Sequence, residues 1–206
     1  MLKIWGRPNS INVKKVLWCA DELGLKYERV DAGMQYGVVN TPEYRNLNPN
    51  GKVPTIEDDG FVLWESHAIV RYLAAKHGAG TLWPDDLRVR ADADRWMDWA
   101  SGTLGVPYRT VFWSLVRTPP EKRDMQAVEN CRRQCAELLD MVEVHLSGRS
   151  YLAGEQLTIG DIPLGCHIHV WLSLPIERPA HPNIVAWHRR LLQRPGYAKW
   201  IDMPIS

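Results

Sequence analysis

Three polar clusters near the start of the chain have residue types suited to holding an anionic, peptide-like ligand. The first is the turn that contains Arg7, where Ser10 and Asn12 stand at the predicted start of a helix. Free backbone N–H groups and the positive end of the helix dipole favour anions at such a position, and short hydroxyl and amide side chains add donors. By default both side chains are ordinary helix caps. Convergence with other loops is what would make this turn an anion site.

The second cluster is Asn48–Ile56, which places Pro54 at the start of a predicted strand. A proline cannot donate to a sheet ladder, so it belongs at a strand start, and a cis bond there turns the preceding backbone outward. Val53 would then offer its N–H and C=O to a peptide-like ligand, in the manner of strand pairing. On the spacing alone, an ordinary turn proline is the simpler interpretation.

The third cluster is the pair Glu65 and Ser66, where a strand ends and a helix begins. The Ser66 hydroxyl and the helix N-terminus suit a carboxylate, while Glu65 suits a neighbouring ammonium, so an α-amino acid group fits both. A plain helix cap explains the pair equally well. In an alternating strand and helix topology these three turns gather at one edge of the sheet, and we expect them to converge there.

Hydrophobic periodicity predicts the elements that position these turns. The first eighty residues alternate strand and helix patterns in the order β-α-β-α-β-β-α, and the remainder carries helical periodicity almost throughout, with about five helices. One long helix is predicted over Ala91–Val116, with Pro107 expected to kink or end it. The fold class is therefore α/β followed by all-α, divided into residues 1–79, a linker at 80–86, and a helical domain at 87–206.

Composition excludes several functional classes. Twenty-five Lys and Arg against 24 Asp and Glu leave a net charge of +1, so no bulk field favours nucleic acid or an anionic membrane surface. The four cysteines form no CxxC pair or zinc spacing, which fits a reducing compartment, and we expect a cytoplasmic protein. His167 and His169 make a poor metal pair, so we expect them in the core or on the surface and predict no metal site.

Together the motifs resemble the cytosolic glutathione transferases, and the resemblance covers nearly the whole chain. It rests on Val53-Pro54 and Glu65-Ser66 in a thioredoxin-like unit, followed by a helical domain that contains the segment Leu152–Asp161. The resemblance implies a thioredoxin-like N-terminal domain that binds glutathione and a C-terminal helical bundle that supplies the electrophile site. It also implies detoxification as the role, glutathione as co-substrate and no cofactor.

The resemblance also assigns roles to residues. It places the γ-glutamyl contact on Glu65 and Ser66, the cis-proline at Pro54, the main-chain contact to the cysteinyl part at Val53, and the glycine-carboxylate contact at Lys52. A fold-stabilising capping box falls on Thr158 and Asp161, and Gly160 stands where many members carry alanine.

The residue that activates the thiol stays open between two candidates. No tyrosine or cysteine lies in the first turn, so the chain resembles bacterial members of the serine-using type, which points to Ser10, or of the asparagine-using type, which points to Asn12. A free thiol has a pKa near 8.5, and donors at a helix N-terminus stabilise its anion. Each charge-assisted hydrogen bond contributes about 1.5 to 3 kcal/mol, enough for one to two pKa units.

The implied reaction is attack of the glutathione thiolate on a small electrophile. Tyr108, Arg109 and Trp113 are spaced along the long helix to reach the electrophile, and Arg7 adds a second cation. If both arginines point inward, a small acidic electrophile is favoured, although a solvated arginine is the default for either.

Two other functions remain open at this point. One is a glutathione-dependent disulfide oxidoreductase acting at the Ser10 and Asn12 turn. The other is a non-catalytic interaction protein on the same fold. The resemblance further implies a homodimer, with no nucleic-acid or membrane partner.

Overall fold

A computed structural model describes residues 1–205 and confirms the predicted element order of the first part. The strands are β1 (Leu2–Trp5), β2 (Tyr27–Val30), β3 (Thr55–Asp58) and β4 (Phe61–Trp64), and the helices between and after them are α1 (Ile11–Glu22), α2 (Pro42–Leu47) and α3 (Ser66–His77). The sheet order is β2-β1-β3-β4, with β1 and β2 parallel and the other neighbouring pairs antiparallel. This is a thioredoxin-like arrangement in which the first turn and the loop before β3 meet at one end of the sheet.

The second part is helical. Its helices are α4 (Leu87–Trp99), α5 (Gly105–Phe112), α6 (Met125–His145), α7 (Asp161–Ser173), α8 (Pro182–Leu192) and α9 (Pro195–Trp200). Among residues 1–205, no helix combines the length and the apolar character needed to cross a membrane.

The helix predicted over Ala91–Val116 is wrong in its bounds, and the break expected at Pro107 lies just before that residue. The helical run begins at Leu87, because the Asp86 side chain accepts hydrogen bonds from the backbone N–H groups of Arg88 and Val89. It is then interrupted by π-helical turns at Ala100–Leu104 and at Trp113–Arg117. Pro107 lies just after the first of these, and a proline removes one ladder hydrogen bond and displaces the carbonyl four residues earlier. The chain therefore shifts register before Pro107.

α1 is the helix that both parts share. It packs against α3 on the sheet side and against α7 and α9 of the helical part. Trp18 is fully buried, its ring centroid lies 4.8 Å from that of Tyr197 in α9, and an added Cβ at Gly165 or Gly196 would lie 3.2 or 3.1 Å from the indole. At the end of α1, the Asp21 carboxylate accepts hydrogen bonds from Lys199 and Trp200.

The start of α7 departs from the predicted capping box. The Asp161 carboxylate accepts from the Thr158 N–H at 2.9 Å, which is one half of the box, but the Thr158 hydroxyl donates to that same carboxylate instead of accepting from the Asp161 N–H. Asp161 also accepts from the Leu152 N–H and from the Trp187 indole N–H. The buried carboxylate therefore ties a loop and α8 to the start of α7.

Candidate active site

A cleft of about 940 Å³ opens between the two parts, bounded by the first turn, the loop before β3 and the α5 region. Eight of the residues singled out from the sequence line it: Arg7, Ser10, Asn12, Lys52, Val53, Tyr108, Arg109 and Trp113. Pro54, Glu65 and Ser66 are not part of the lining. Two of the three predicted clusters therefore meet in one cavity, and the third lies next to it.

Ser10 occupies the N-cap position of α1 without capping it through its side chain. Its backbone carbonyl accepts the first helical hydrogen bond, from the Lys14 N–H at 2.9 Å, while its hydroxyl makes no capping contact. Ser10 is buried and Asn12 is exposed, and both line the cleft. The hydroxyl is thus available to a ligand, unlike that of an ordinary cap.

Lys15 lies beneath this turn as a buried cation. Its Nζ donates to Asn12 Oδ1 at 3.0 Å and lies 3.2 Å from His67 Nε2. Only 3 % of the residue is exposed, and within residues 1–205 no carboxylate comes within ion-pairing distance of it. Burial lowers the pKa of Lys15 to about 8, against the raising effect of Cys166 and Glu65. Burial, followed by the charge of Lys15, lowers the pKa of His67 to about 3, so its ring is neutral. Its Nε2 accepts the hydrogen bond that the Lys15 ammonium donates.

The loop before β3 is held from below by two side chains. The Tyr44 hydroxyl donates to the Lys52 carbonyl at 2.7 Å, and the Asn48 amide donates to the same carbonyl at 2.9 Å. The bond between Val53 and Pro54 is cis, as the resemblance implies. Neither the N–H nor the C=O of Val53 is hydrogen bonded to any other residue among 1–205. The loop therefore presents one residue with a free donor and acceptor to the cleft.

Glu65 and Ser66 lie at the start of α3. Glu65 has a φ of 72°, in the left-handed region, and is exposed, whereas Ser66 is buried as the first helical residue. His67 follows directly and contacts Lys15. This turn is therefore adjacent to the floor of the cleft.

The opposite wall comes from α5 and α7. Tyr108 is buried with its hydroxyl unpartnered among the described residues, and burial raises its pKa well above the usual value. The His167 ring lies 4.6 Å from the Tyr108 ring, and its Nδ1 is also without a partner among residues 1–205. Burial lowers the pKa of His167 well below the usual value. The Tyr108 hydroxyl and the His167 imidazole are therefore two uncharged polar groups on this side of the cleft.

Among residues 1–205, every charged side chain that lines the cleft is positive. Its lining includes Arg7, Lys15, Lys52, Arg109 and Arg117 and, within the part of the chain described, not one Asp or Glu. Arg7 is 9 % exposed, its Nε has no partner among residues 1–205, and burial followed by the charge of Arg117 lowers its pKa. The Arg117 guanidinium lies 5.3 and 5.1 Å from the ring centroids of Phe112 and Trp113. A cavity with this lining selects anions.

Among residues 1–205, the cysteines lie outside the cleft lining, although Cys166 is close enough to Lys15 to raise its pKa. Burial raises the pKa of Cys135 and of Cys166 to about 12 and raises that of Cys19 as well, so these thiols are unreactive at neutral pH. Among the described residues, no group of three or more His, Cys, Asp or Glu side chains is arranged to hold a metal ion.

Sequence reasoning gave no role in this region to four residues: Lys15, His67, His167 and Arg117. A signal for one of them was present. Lys15 lies in the run Val13–Ala20, all of which is buried, and a lysine inside so apolar a helix face cannot reach solvent easily. His67 and His167 come from distant helices, and nothing in their local sequence indicates that they approach Lys15.

Comparison with known proteins agrees with this arrangement. The family model "Glutathione S-transferase, N-terminal domain" matches residues 1–75, and "Glutathione S-transferase, C-terminal domain" matches residues 107–195. The chain is 39% identical over 208 aligned residues to glutathione S-transferase GstB of Escherichia coli, covering 100% of both, and 32% identical to glutathione S-transferase 3 of Zea mays, covering 97% of this chain and 93% of that one.

Among solved structures, the chain is similar to a theta class glutathione S-transferase of Xanthomonas axonopodis pv. citri with glutathione bound. The TM-score is 0.95 at 45% identity, over 100% of this chain and 99% of the other. The maize glutathione S-transferase I in complex with an atrazine glutathione conjugate superposes with a TM-score of 0.88 at 25% identity, over 98% and 96%. Both domain models match in order, and a curated sequence and a solved structure of this family each align over essentially their full length. The chain therefore belongs to the glutathione S-transferase family.

Proposed function

We propose that the cleft binds glutathione and that the protein transfers its thiolate to a small electrophile. The observation that carries the proposal is Val53, which lines the cleft and has no hydrogen bond to either backbone polar group among residues 1–205, while the available hydroxyl of Ser10 lines the same cleft. A cysteinyl residue can pair with Val53 as a strand does, and this brings its sulfur to the N-terminus of α1. Lys52 then serves the glycine carboxylate, and Glu65 with Ser66 serve the γ-glutamyl end.

Ser10 and Asn12 are the proposed thiolate donors. A serine hydroxyl is far too weak an acid to act as a base here, so it remains protonated and donates to the sulfur anion. The same holds for the amide of Asn12. Since donors at a helix N-terminus favour the anion, the thiol ionises near neutral pH and becomes the nucleophile.

The acceptor we propose is a small electrophile that carries a carboxylate. Arg7 is buried without a partner for its Nε among residues 1–205, and Arg109 and Trp113 line the opposite wall of the cleft. An anionic acceptor approaching a thiolate is repelled in water, and cations beside the sulfur remove that repulsion. For an α-halocarboxylate, the S–C bond forms as the C–halogen bond breaks. The halide leaves with the bonding pair, and the thiol proton has already passed to solvent.

Glutathione binding and turnover test the general function. We expect calorimetry to detect glutathione binding and an aryl or alkyl halide to be consumed with halide release. A non-catalytic interaction protein would show no specific binding. An oxidoreductase would turn over a mixed disulfide faster than any halide, although every cysteine pKa that departs from the ordinary value is raised by burial, which leaves the protein's own thiols poorly suited to exchange.

A pair of acceptors that differ in charge tests the acceptor class. Chloroacetate and 2-chloroacetamide have similar size and the same leaving group. We expect Arg7→Met to lower kcat/KM for chloroacetate by about 10- to 100-fold, since one charge-assisted contact is lost, with little change for the amide. Equal losses for the two acceptors would show that Arg7 acts on glutathione or on the fold.

We also propose that the protein forms a two-fold homodimer in the cytoplasm. β4 is an edge strand of the sheet, and its Phe61 and Trp64 are 48% and 37% exposed, which leaves two large apolar side chains on one short strand for a partner to cover. Light scattering after size exclusion tests this: a mass of one chain contradicts it. Buried free thiols are compatible with a reducing compartment.

A further inference from the structure

Lys15 is a buried ammonium whose hydrogen-bond partners are both neutral. The amide oxygen of Asn12 lies 3.0 Å from Nζ, the His67 Nε2 lies 3.2 Å away, and within residues 1–205 no carboxylate is paired with it. An uncompensated buried charge is costly, and such charges are usually paired or neutralised. Here the nearest open space is the cleft, which Lys15 itself lines.

The contact with Asn12 determines which way that amide faces. An ammonium has donors only, so the atom of Asn12 that meets Nζ must be the carbonyl oxygen. The Asn12 NH₂ group is then directed away from Lys15, and Asn12 lines the cleft. The contact with Lys15 therefore leaves the NH₂ donor of Asn12, and not its carbonyl acceptor, available to a sulfur anion.

His67 has a matching role on the other side of Lys15. Its ring is neutral because burial and the positive charge of Lys15 both lower its pKa. Since an ammonium has donors only, the Nε2 atom that meets Nζ is the acceptor nitrogen of that neutral ring. It holds the ammonium without cancelling its charge, which a carboxylate in that position would do. The start of α3, which carries the proposed γ-glutamyl contact, is thereby fixed to the start of α1.

We propose that Lys15 is a positioning residue for thiol ionisation: it orients the Asn12 amide toward the sulfur and supplies the positive charge that the thiolate balances. This rests on the proposed function, since it assumes that glutathione places its sulfur at Ser10 and Asn12. It deepens that function by making Asn12 the donor that the charge of Lys15 supports, and Ser10 the donor that the start of α1 positions.

The groups around Lys15 come from three neighbouring elements. Glu65 and Cys166 raise the pKa of Lys15, and the charge of Lys15 lowers the pKa of His67 and of His167. The Tyr108 ring of α5 is tilted against that of His167, with 4.6 Å between the centroids. Because Tyr108 and Cys166 have raised pKa values and the two histidines have lowered ones, all four are neutral near pH 7. Lys15 and Glu65 are the remaining ionisable members, and of the two only Lys15 is buried.

The test is the pKa of enzyme-bound glutathione. It is measured from the ultraviolet absorbance of the thiolate as a function of pH, in the binary complex without an acceptor. We expect Lys15→Met to raise this pKa by about one unit. At pH values below the pKa, kcat/KM for a neutral halide should then fall about tenfold. Lys14→Met is the matched control, because Lys14 is also buried but lines a different, small cleft. Lys15→Arg should restore most of the wild-type pKa.

A double-variant comparison isolates the route through Asn12. If Lys15 acts through that amide, Lys15→Met should have a much smaller effect in an Asn12→Ala background than alone. Additive effects would overturn the proposal, as would an unchanged thiol pKa in a folded Lys15→Met protein, with folding checked by its melting temperature. If the wild-type protein itself shows no bound thiolate, the failure belongs to the proposed function.

Discussion

The two candidate thiol donors differ in how the fold holds them. Ser10 is buried and fixed by the helix backbone, whereas Asn12 is exposed and held through Lys15. We expect Ser10→Ala and Asn12→Ala each to raise the pKa of bound glutathione by about one to two units, since each removes one charge-assisted hydrogen bond. The measurement is the pH dependence of kcat/KM, whose acid limb should move to higher pH in both variants.

Ser101→Ala is the control for these variants. Ser101 lines the cleft from the α5 side, and its hydroxyl already donates to the Asp98 carbonyl at 3.1 Å. Its removal should leave the acid limb in place. An unchanged profile in both Ser10→Ala and Asn12→Ala would contradict the proposal that this turn ionises the thiol.

At the residue scale, the sequence predicted the polar turns better than the charges beneath them. The residue types at Ser10, Asn12, Lys52 and Val53 already indicate donors at helix starts and strand mouths, and these four residues line one cleft. Lys15 could not be placed in the same way, because its role depends on packing against α3 and α7, which no local pattern records.

At the element scale, the junction between α4 and α7 depends on a residue without a side chain. An added Cβ at Gly160 would lie 2.8 Å from the Ala93 carbonyl oxygen and 3.0 Å from its Cα, both backbone atoms of α4. This explains why glycine stands where many family members carry alanine. We expect Gly160→Ala to cost about 1 to 3 kcal/mol of unfolding free energy, because α4 and α7 must separate slightly.

Gly102→Ala is the matched comparison for that substitution. Gly102 is exposed in the π-helical turn before α5, with open space where a Cβ would stand and no positive φ. Alanine there should be neutral or stabilising by up to about 1 kcal/mol, since it favours helical backbone. Thermal or urea unfolding of both variants measures the difference, and equal melting temperatures would contradict the close-packing argument.

The order of the elements was predictable, but breaks inside helices were not. Alternating strand and helix patterns gave the order of the first part because each element has one face against a core. The interruption before Pro107 was expected as a kink, yet its form, a π-helical turn over Ala100–Leu104, depends on how α5 must pack. The capping pair at α7 was likewise found by spacing, while its additional bonds to Leu152 and Trp187 depend on tertiary contacts.

At the scale of the whole molecule, buried histidines predict acid sensitivity. Burial lowers the pKa of His67 to about 3 and that of His188 to about 4, and it lowers those of His167 and His169 as well. Below the ordinary value near 6.5, the unfolded chain binds protons that the folded chain does not, so stability falls as the pH falls. His67 alone removes about 2 kcal/mol between neutral pH and pH 5, and the more exposed His188 removes less.

One carboxyl opposes this trend. Burial raises the pKa of Asp161 to about 6, so the folded state takes up that proton first and gains stability as the pH falls toward 4. Four histidines outweigh one aspartate, and we expect a net loss of several kcal/mol by pH 5. Urea unfolding at pH 7.5 and pH 5 measures it. His188→Gln should reduce the loss, His77→Gln at an exposed position should not, and a flat profile in the parent protein would contradict the prediction.

The packing of α9 onto α1 has a consequence for synthesis. Lys199 and Trp200 reach Asp21 across 178 and 179 residues of chain, and Tyr197 covers Trp18. During synthesis, the turn that carries Ser10 and Asn12 therefore leaves the ribosome while α9, which packs on α1, is still untranslated. Until that late segment emerges, the apolar side of α1 stays open to chaperones.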